Sequence, residues 1–422
     1  EGRCGCFDPA AGEYVIARPD TPTAWIDYLG AGRYGGIVSN TGGGYSFDRD
    51  PRNRRVSRYR YNGVPADQPG RYVYLRDQDT GEYWAATWQP VRADLDHFEC
   101  RHGTGYTRIT TVRAGIRASM LYFVPPTPAD DPCPAEVWVL RLRNESDRPR
   151  TLRTFSYVEF GYFDAVVDQQ NLDWAGHIVG SRFDEDAGAV LAGVRFKPTT
   201  SFLGCDRPPL GFDGDRETFI GRYHDLADPV VVAGGQPTDT GSPRGNSIGS
   251  LCHEVTIEPG QEVRLTYVMG ITETPEVIAE VIDRYRGHGA VDAAFADLLA
   301  DWDGYLSAMT VQTPDADTNA MLNVWNPIQC RTTLYWSRFV SGYETGLGRG
   351  MGTRDSGQDT LGTMHAVPEH ARAMLTKIWE MQFTDGHAWH QFYPLSGQGG
   401  PGHSAEVPEW PQWYSDDHLW LV

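Results

Sequence analysis

The period of the apolar pattern changes once along this chain, near residue 274, and that change constrains the fold more than any other feature. Before it, the apolar residues repeat every second position in short runs. "YVYLRD" (72–77), "EYWAATWQPV" (82–91) and "EVWVLRLRN" (136–144) alternate or are rich in β-branched and aromatic residues over strand length. Glycine, proline, asparagine and aspartate clusters such as "NTGGG" and "DGDRE" separate the runs. No helical period intervenes up to residue 270. Many short strands at close spacing bury their apolar faces most simply as an antiparallel sandwich.

After residue 274 the period is helical. "TPEVIAEVIDRYRG" opens with Thr274 and Pro275, a suitable N-cap and first-turn pair. Val277, Val281 and Tyr285 share a face, and Gly287 supplies a stop. In "VDAAFADLLADWDGYL", Val291, Phe295, Leu298, Trp302 and Tyr305 form a stripe. These two helices read as a linker or buttress. "NAMLNVWNPIQCRTTLYWSRF" and "VPEHARAMLTKIWEMQF" continue the helical spacing, with Pro368 at the first position of the second. A β domain is therefore followed by an α domain. There is no internal repeat and no low-complexity tract.

Charge and cysteine usage narrow the class. The 422 residues carry a net charge of −19, which argues against nucleic acid or an anionic membrane as partner. Of the basic residues only Lys197 and Lys377 are lysines. This reflects either genomic composition or a use of planar guanidinium forks for phosphate or sugar. Seven cysteines without a CxxC pair suggest neither a metal nor a disulfide framework, and fit a reducing cytoplasm. No secretory leader opens the chain and no apolar run reaches membrane length. Aromatic residues make up 12%; they suit a sugar-stacking surface and the core of a large sandwich equally.

"GRGMGTRDSGQD" (348–359) is the densest candidate for chemistry. Its glycines, with Gly346, hold no GxGxxG register, and the GxxxxGK[ST] phosphate loop is absent. Alternating glycines permit positive φ and close backbone approach. Arg349 and Arg354 bracket the turn, and Arg338 closes the helix upstream. Three guanidinium groups around a glycine turn make an oxyanion site, since arginine grips phosphate through two parallel bonds. The competing reading is a structural network with Glu344, Asp355 and Asp359. Asp355, held among cations, stays ionised and either accepts from two sugar hydroxyls or pairs with an arginine. His387 and His390 stand three apart, a weak metal signal without a third ligand; packing or sugar contact competes with it. Asp416 and Asp417 read as helix N-caps or as a carboxylate dyad.

Several long stretches, in order, resemble the cellobiose phosphorylase family, glycoside hydrolase family 94. They are "EYVIARPDTPTAWIDYLG" (13–30), "GGYSFDRDPRNRRVSRYRYNGVPAD" (43–67), "LDHFECRHGTGYTRI" (95–109), "WNPIQCRTTLYWSRF" (325–339), "GLGRGMGTRDSGQD" (346–359) and "DDHLWLV" (416–422). The resemblance implies an N-terminal antiparallel β-sandwich (1–272), a helical linker (273–310) and the first part of an (α/α)6 barrel (311–422). The rest of the barrel and a C-terminal β-domain are absent from this chain. It implies an inverting phosphorylase that turns a β-linked, cellobiose-like glucosyl disaccharide and phosphate into α-glucose 1-phosphate and an acceptor sugar. By the resemblance Arg349 contacts phosphate, while Arg338, Arg354 and Asp355 hold the non-reducing-end sugar. Their spacing follows the cellobiose pattern, whereas His418 in "DDHLWLV" is closer to the chitobiose type. N,N'-diacetylchitobiose, laminaribiose and cellobionic acid are alternative substrates.

The resemblance further implies a cytoplasmic homodimer with no cofactor and inorganic phosphate as co-substrate. The family's general acid lies in a Trp-Asn-Asp segment that these residues do not contain. It is therefore expected beyond Val422, and the 422-residue chain alone is expected to be inactive. Its helices, with Leu334, Trp336, Met374, Ile378 and Leu421, are expected to lack partners in this length of chain. A hydrolase on the same scaffold and a non-catalytic sugar-binding fragment are the rival readings.

Overall fold

The computed structural model describes residues 3–30, 32–60, 63–161, 164–336, 350–393, 396–401, 409, 414 and 416–421. It divides into two compact units, Glu1–Asp48 with Arg55–Leu298, and Arg49–Arg54 with Leu299–Val422. The division falls inside the helix His288–Leu306, so the segment expected as a linker is shared between the two.

The first unit holds a ten-stranded antiparallel sheet, with Ala135–Asn144 and Glu262–Thr272 paired near its middle. A five-stranded sheet lies against it, centred on Arg150–Glu159, with Ser247–Ile257 and Tyr72–Asp77 on either side. A three-stranded sheet, Ile26–Leu29, Tyr34–Ser39 and Gly44–Asp48, completes the unit. Met120, Trp138, Leu140 and Leu142 of the large sheet share one core with Val73, Leu75, Leu152 and Leu251 of the smaller one. The opposite face of the smaller sheet is buried too. Tyr72, Tyr74, Phe155 and Tyr157 pack beneath Phe219, Ile220, Val231 and Val232. This explains "YVYLRD": with both faces covered, its aromatic and aliphatic positions alternate between two cores rather than between core and water.

The helices that provide Phe219 and Val231, Arg216–Ile220 and Val230–Gly234, lie within the region where the sequence shows no helical period, as do Ala165–Gln170 and Leu172–Gly176. Each has five or six residues, too few to display a 3.6-residue period. Their signal is the cap: Asp164, Asn171 and Asp215 accept backbone N–H bonds at the starts of three of them. "DGDRE" is accordingly a strand end followed by a capped helix rather than a plain turn. The strand expected over 82–91 contracts to Tyr83–Ala85, beyond which Thr87 Oγ1 donates to the Gln89 carbonyl and closes a loop.

The core of this unit contains charge. Arg71 and Glu136 are fully buried and paired at 2.5 Å. Ser46 bridges both, Trp138 Nε1 donates to Glu136 at 2.6 Å, and Arg71 Nη1 donates to the Ile37 carbonyl at 3.0 Å. Asp213 is also buried, with one oxygen accepting from Thr238 N–H and Oγ1 and the other unpartnered among the described residues. Burial raises its pKa from 3.8 to about 7, with Asp239 and Asp215 adding repulsion. The raised pKa makes the protonated form the favoured folded state, so its contribution is complete below about pH 4 and is lost as the pH rises through 7. Asp213→Asn removes that loss. Its stability relative to wild type should improve by roughly 2–3 kcal/mol between pH 5 and pH 8, read from urea midpoints at the two pH values.

In the second unit the expected helical run is Ala316–Ala320, a π-helical turn Met321–Trp325 and Asn326–Trp336. Pro368 opens the helix Pro368–Trp379 at its first turn. Leu334, Met374 and Ile378 are not left without partners. They pack with Met351, Ala388 and Phe392, and Trp336 is buried as well. The reason is that these helices close on a short sheet of their own. Exposed apolar side chains are found elsewhere, at Leu361, Met364, Trp379 and Leu419. The side chain of Leu421 lies outside what is described.

Candidate functional site

The glycine segment enters the described residues at Gly350. Met351–Gly352 pairs with Gln391–Phe392, which pairs in turn with Gly399–Gly400. The glycines at 350 and 352 serve close approach rather than positive φ. A Cβ on Gly350 would meet the Phe392 carbonyl at 2.6 Å, and one on Gly352 would meet Asp355 Oδ2 at 2.4 Å. Gly399 is needed for the same reason, since its Cβ would collide with the Trp389 indole at 2.0 Å. The turn ends there. Gly352 is the N-cap of the helix Thr353–Leu361, so Arg354 and Asp355 sit in a helical first turn. The Asp355 carboxylate lies back over Gly352, at the positive end of the helix dipole. Arg338, Arg349 and Glu344 lie outside the described residues.

Arg354 pairs with neither Asp355 nor Asp359, the acidic neighbours that local sequence offers. Its Nη1 donates to Asp416 Oδ2 at 2.7 Å, and both side chains remain about a third or more exposed, at 35% and 41%. The bond holds the Asp416 carboxyl below its usual range and raises the pKa of Arg354. The next residue, Asp417, is fully buried and takes His390 Nδ1 at 2.9 Å. The carboxyl oxygen accepts in this contact, which places the hydrogen on Nδ1. His390 stacks on Tyr414 at 4.1 Å between ring centroids. Asp416 and Asp417 flank the start of a 3₁₀ turn, Asp417–Leu421, but their side chains serve Arg354 and His390.

The two histidines diverge. His387 bonds Asp385 at 2.5 Å and stacks on Phe383, whereas His390 turns inward to Asp417. No group of three or more His, Cys, Asp or Glu side chains able to hold a metal occurs among the described residues. The structure thus brings Arg354, Asp355, Asp416, Asp417 and His390 into one neighbourhood of the second unit. Local sequence shows Asp416 and Asp417 as caps or as a dyad but not as partners of Arg354 and His390, because 62 and 27 residues separate the members of the two pairs.

Residues 12–288 match the glycosyl hydrolase 94 supersandwich domain, and residues 301–422 match the catalytic domain of the glycosyl hydrolase 94 superfamily. The chain belongs to glycoside hydrolase family 94. It is 34% identical to the N,N'-diacetylchitobiose phosphorylase of Vibrio furnissii over 440 residues, covering 99% of this chain and 54% of that one. It is 28% identical to the solabiose phosphorylase of Paenibacillus borealis over 430 residues, covering 99% and 51%. The chain spans about half the length of these curated relatives. A bacterial glucoamylase complexed with acarbose shares the fold, with a TM-score of 0.54 at 8% identity, covering 92% of this chain and 56% of the other.

Proposed function

We propose that the protein to which this chain belongs is an inverting disaccharide phosphorylase acting on a β-linked, cellobiose-like glucosyl disaccharide. The observation that carries the reading is the side-by-side placement of Arg354 and Asp355 in the first turn of Thr353–Leu361, directly after Gly350 and Gly352, positions where an added Cβ would collide with the Phe392 carbonyl and with Asp355. Asp355 accepts from adjacent hydroxyls of the non-reducing-end sugar, and Arg338 and Arg354 hold the same ring. Arg349 grips phosphate. Phosphate is already an anionic nucleophile, so inversion needs no base to activate it. The C1–O bond to phosphate forms as the glycosidic C1–O bond breaks, and an acid protonates the departing oxygen. Holding phosphate in line with C1 is Arg349's share of the work. The acid belongs to the part of the relatives that this chain does not span.

N,N'-diacetylchitobiose is the second reading of the substrate, favoured by the 34% identity to its phosphorylase in Vibrio furnissii and by His418 in "DDHLWLV". The reading also includes a cytoplasmic homodimer that needs no cofactor beyond phosphate as co-substrate. Seven unpaired cysteines support the compartment, and the family resemblance supports the dimer. No helix among the described residues is long and apolar enough to cross a membrane.

The full-length protein should release α-glucose 1-phosphate from cellobiose, or the N-acetylated sugar phosphate from N,N'-diacetylchitobiose, only when phosphate is present. Equal sugar release in phosphate-free buffer would turn the assignment to a hydrolase. Sugar binding without turnover in an intact preparation would turn it to a non-catalytic sugar-binding protein.

A further inference from the structure

Arg354 stands about a third exposed on a helix first turn, where an unrestrained arginine samples many rotamers. Its contacts form a closed circuit. Thr353 N–H donates to the His390 carbonyl at 2.9 Å, and Thr353 Oγ1 donates to the Trp389 carbonyl. These bonds tie the helix start to the strand Gln391–Phe392. His390 Nδ1 then donates to Asp417 at 2.9 Å, a bond buried at both ends. Asp416, one residue away, returns to Arg354 Nη1 at 2.7 Å. The buried His390–Asp417 bond fixes the backbone at 416–417 against the strand, and Asp416 projects from that fixed point to the guanidinium.

We propose that Asp416 is a positioning residue for the sugar, acting through Arg354, and that the buried His390–Asp417 pair anchors it. The inference rests on the reading of Arg354 as a sugar-binding group. Asp416 sets the rotamer of Arg354 before the sugar arrives, so the ordering cost is met in the folded protein rather than on binding. A partly exposed pair of this kind adds little to stability. Its effect should therefore appear in sugar affinity and be nearly absent from the melting temperature.

The test uses the full-length protein, with cellobiose and N,N'-diacetylchitobiose as probes, by calorimetric binding and by steady-state phosphorolysis. Asp416→Asn should weaken the disaccharide about tenfold in Kd and KM, as expected for loss of one charge-assisted contact. The phosphate KM and the melting temperature should stay near wild type. Asp416→Glu, which keeps the charge, should recover part of the loss. In an Arg354→Met background Asp416→Asn should have no further effect, because the residue it acts through is gone. Unchanged sugar affinity in Asp416→Asn overturns the inference. So does an equal loss in the Arg354→Met background, or a loss confined to kcat, which would place Asp416 at the chemistry itself. Should wild type bind the sugar yet not phosphorolyse it, the phosphorylase reading fails while the binding arm still decides the role of Asp416. A wild type that binds neither sugar overturns both.

Discussion

Replacing Glu136 with alanine should lower the stability of the β unit by about 3–5 kcal/mol. Arg71 has no exposed surface, and its guanidinium is satisfied by Glu136, Ser46 and the Ile37 carbonyl. Removing the carboxylate leaves a guanidinium that cannot lose its proton, sealed away from water. Trp138 Nε1 loses its acceptor at the same time. For a unit of this size, each kcal/mol moves the melting temperature by roughly 2–4 °C, so a fall of about 10 °C is expected by calorimetry. The paired replacement Arg71→Met with Glu136→Leu should cost clearly less than Glu136→Ala alone, because no charge is then stranded. A Glu136→Ala protein that melts within 2 °C of wild type would mean that water reaches Arg71, and that the pair is not a sealed one.

The sequence makes the large sheets legible because their strands alternate over many residues, and the stripe Val291, Leu298, Trp302 and Tyr305 legible because those residues are the buried side of a 19-residue helix. It hides the four short helices of the β unit: three announce themselves only through a capping aspartate or asparagine, and Val230–Gly234, which follows Pro229, has no side-chain cap. It also hides Arg71 and Glu136, which look like ordinary strand charges until the fold places them opposite each other. In the second unit the residue types of the site can be read directly, but not their pairings. Local sequence offers Arg354 two nearby acids, Asp355 and Asp359; the fold gives it Asp416. His387 and His390 read as a pair, yet the strand Gln391–Phe392 sends them to different carboxylates. Thr274 has the composition of an N-cap but makes no side-chain cap bond; its Oγ1 is replaced in the local network by that of Thr272, which accepts from the Thr274 N–H at 2.9 Å. Caps and periods are local quantities, whereas pairing is settled by chain closure over tens of residues.

In the full-length protein, Arg349→Lys and Asp355→Asn should separate the two substrates. Lysine keeps the positive charge of Arg349 but loses the planar fork, so phosphate retains attraction and loses its second parallel bond. The phosphate KM should rise by one to two orders of magnitude, on the order of 1.5–3 kcal/mol for a charged hydrogen bond, with the disaccharide KM little changed. Asp355→Asn should do the reverse. Asparagine nearly matches the shape of aspartate beside Gly352, where an added Cβ would already come within 2.4 Å of the carboxylate. The fold should therefore tolerate it, apart from losing a helix-dipole contribution of about 0.3–1 kcal/mol. What it gives up is the charge that two adjacent sugar hydroxyls donate to, and one of its oxygens becomes a donor. The disaccharide kcat/KM should fall about a hundredfold or more, while the phosphate KM stays within a few-fold. Initial rates with each substrate varied at saturation of the other decide the matter. If Arg349→Lys raises the KM for sugar and leaves that for phosphate untouched, the two roles are exchanged: the glycine segment then holds the sugar, and the phosphate cations must be sought on other elements.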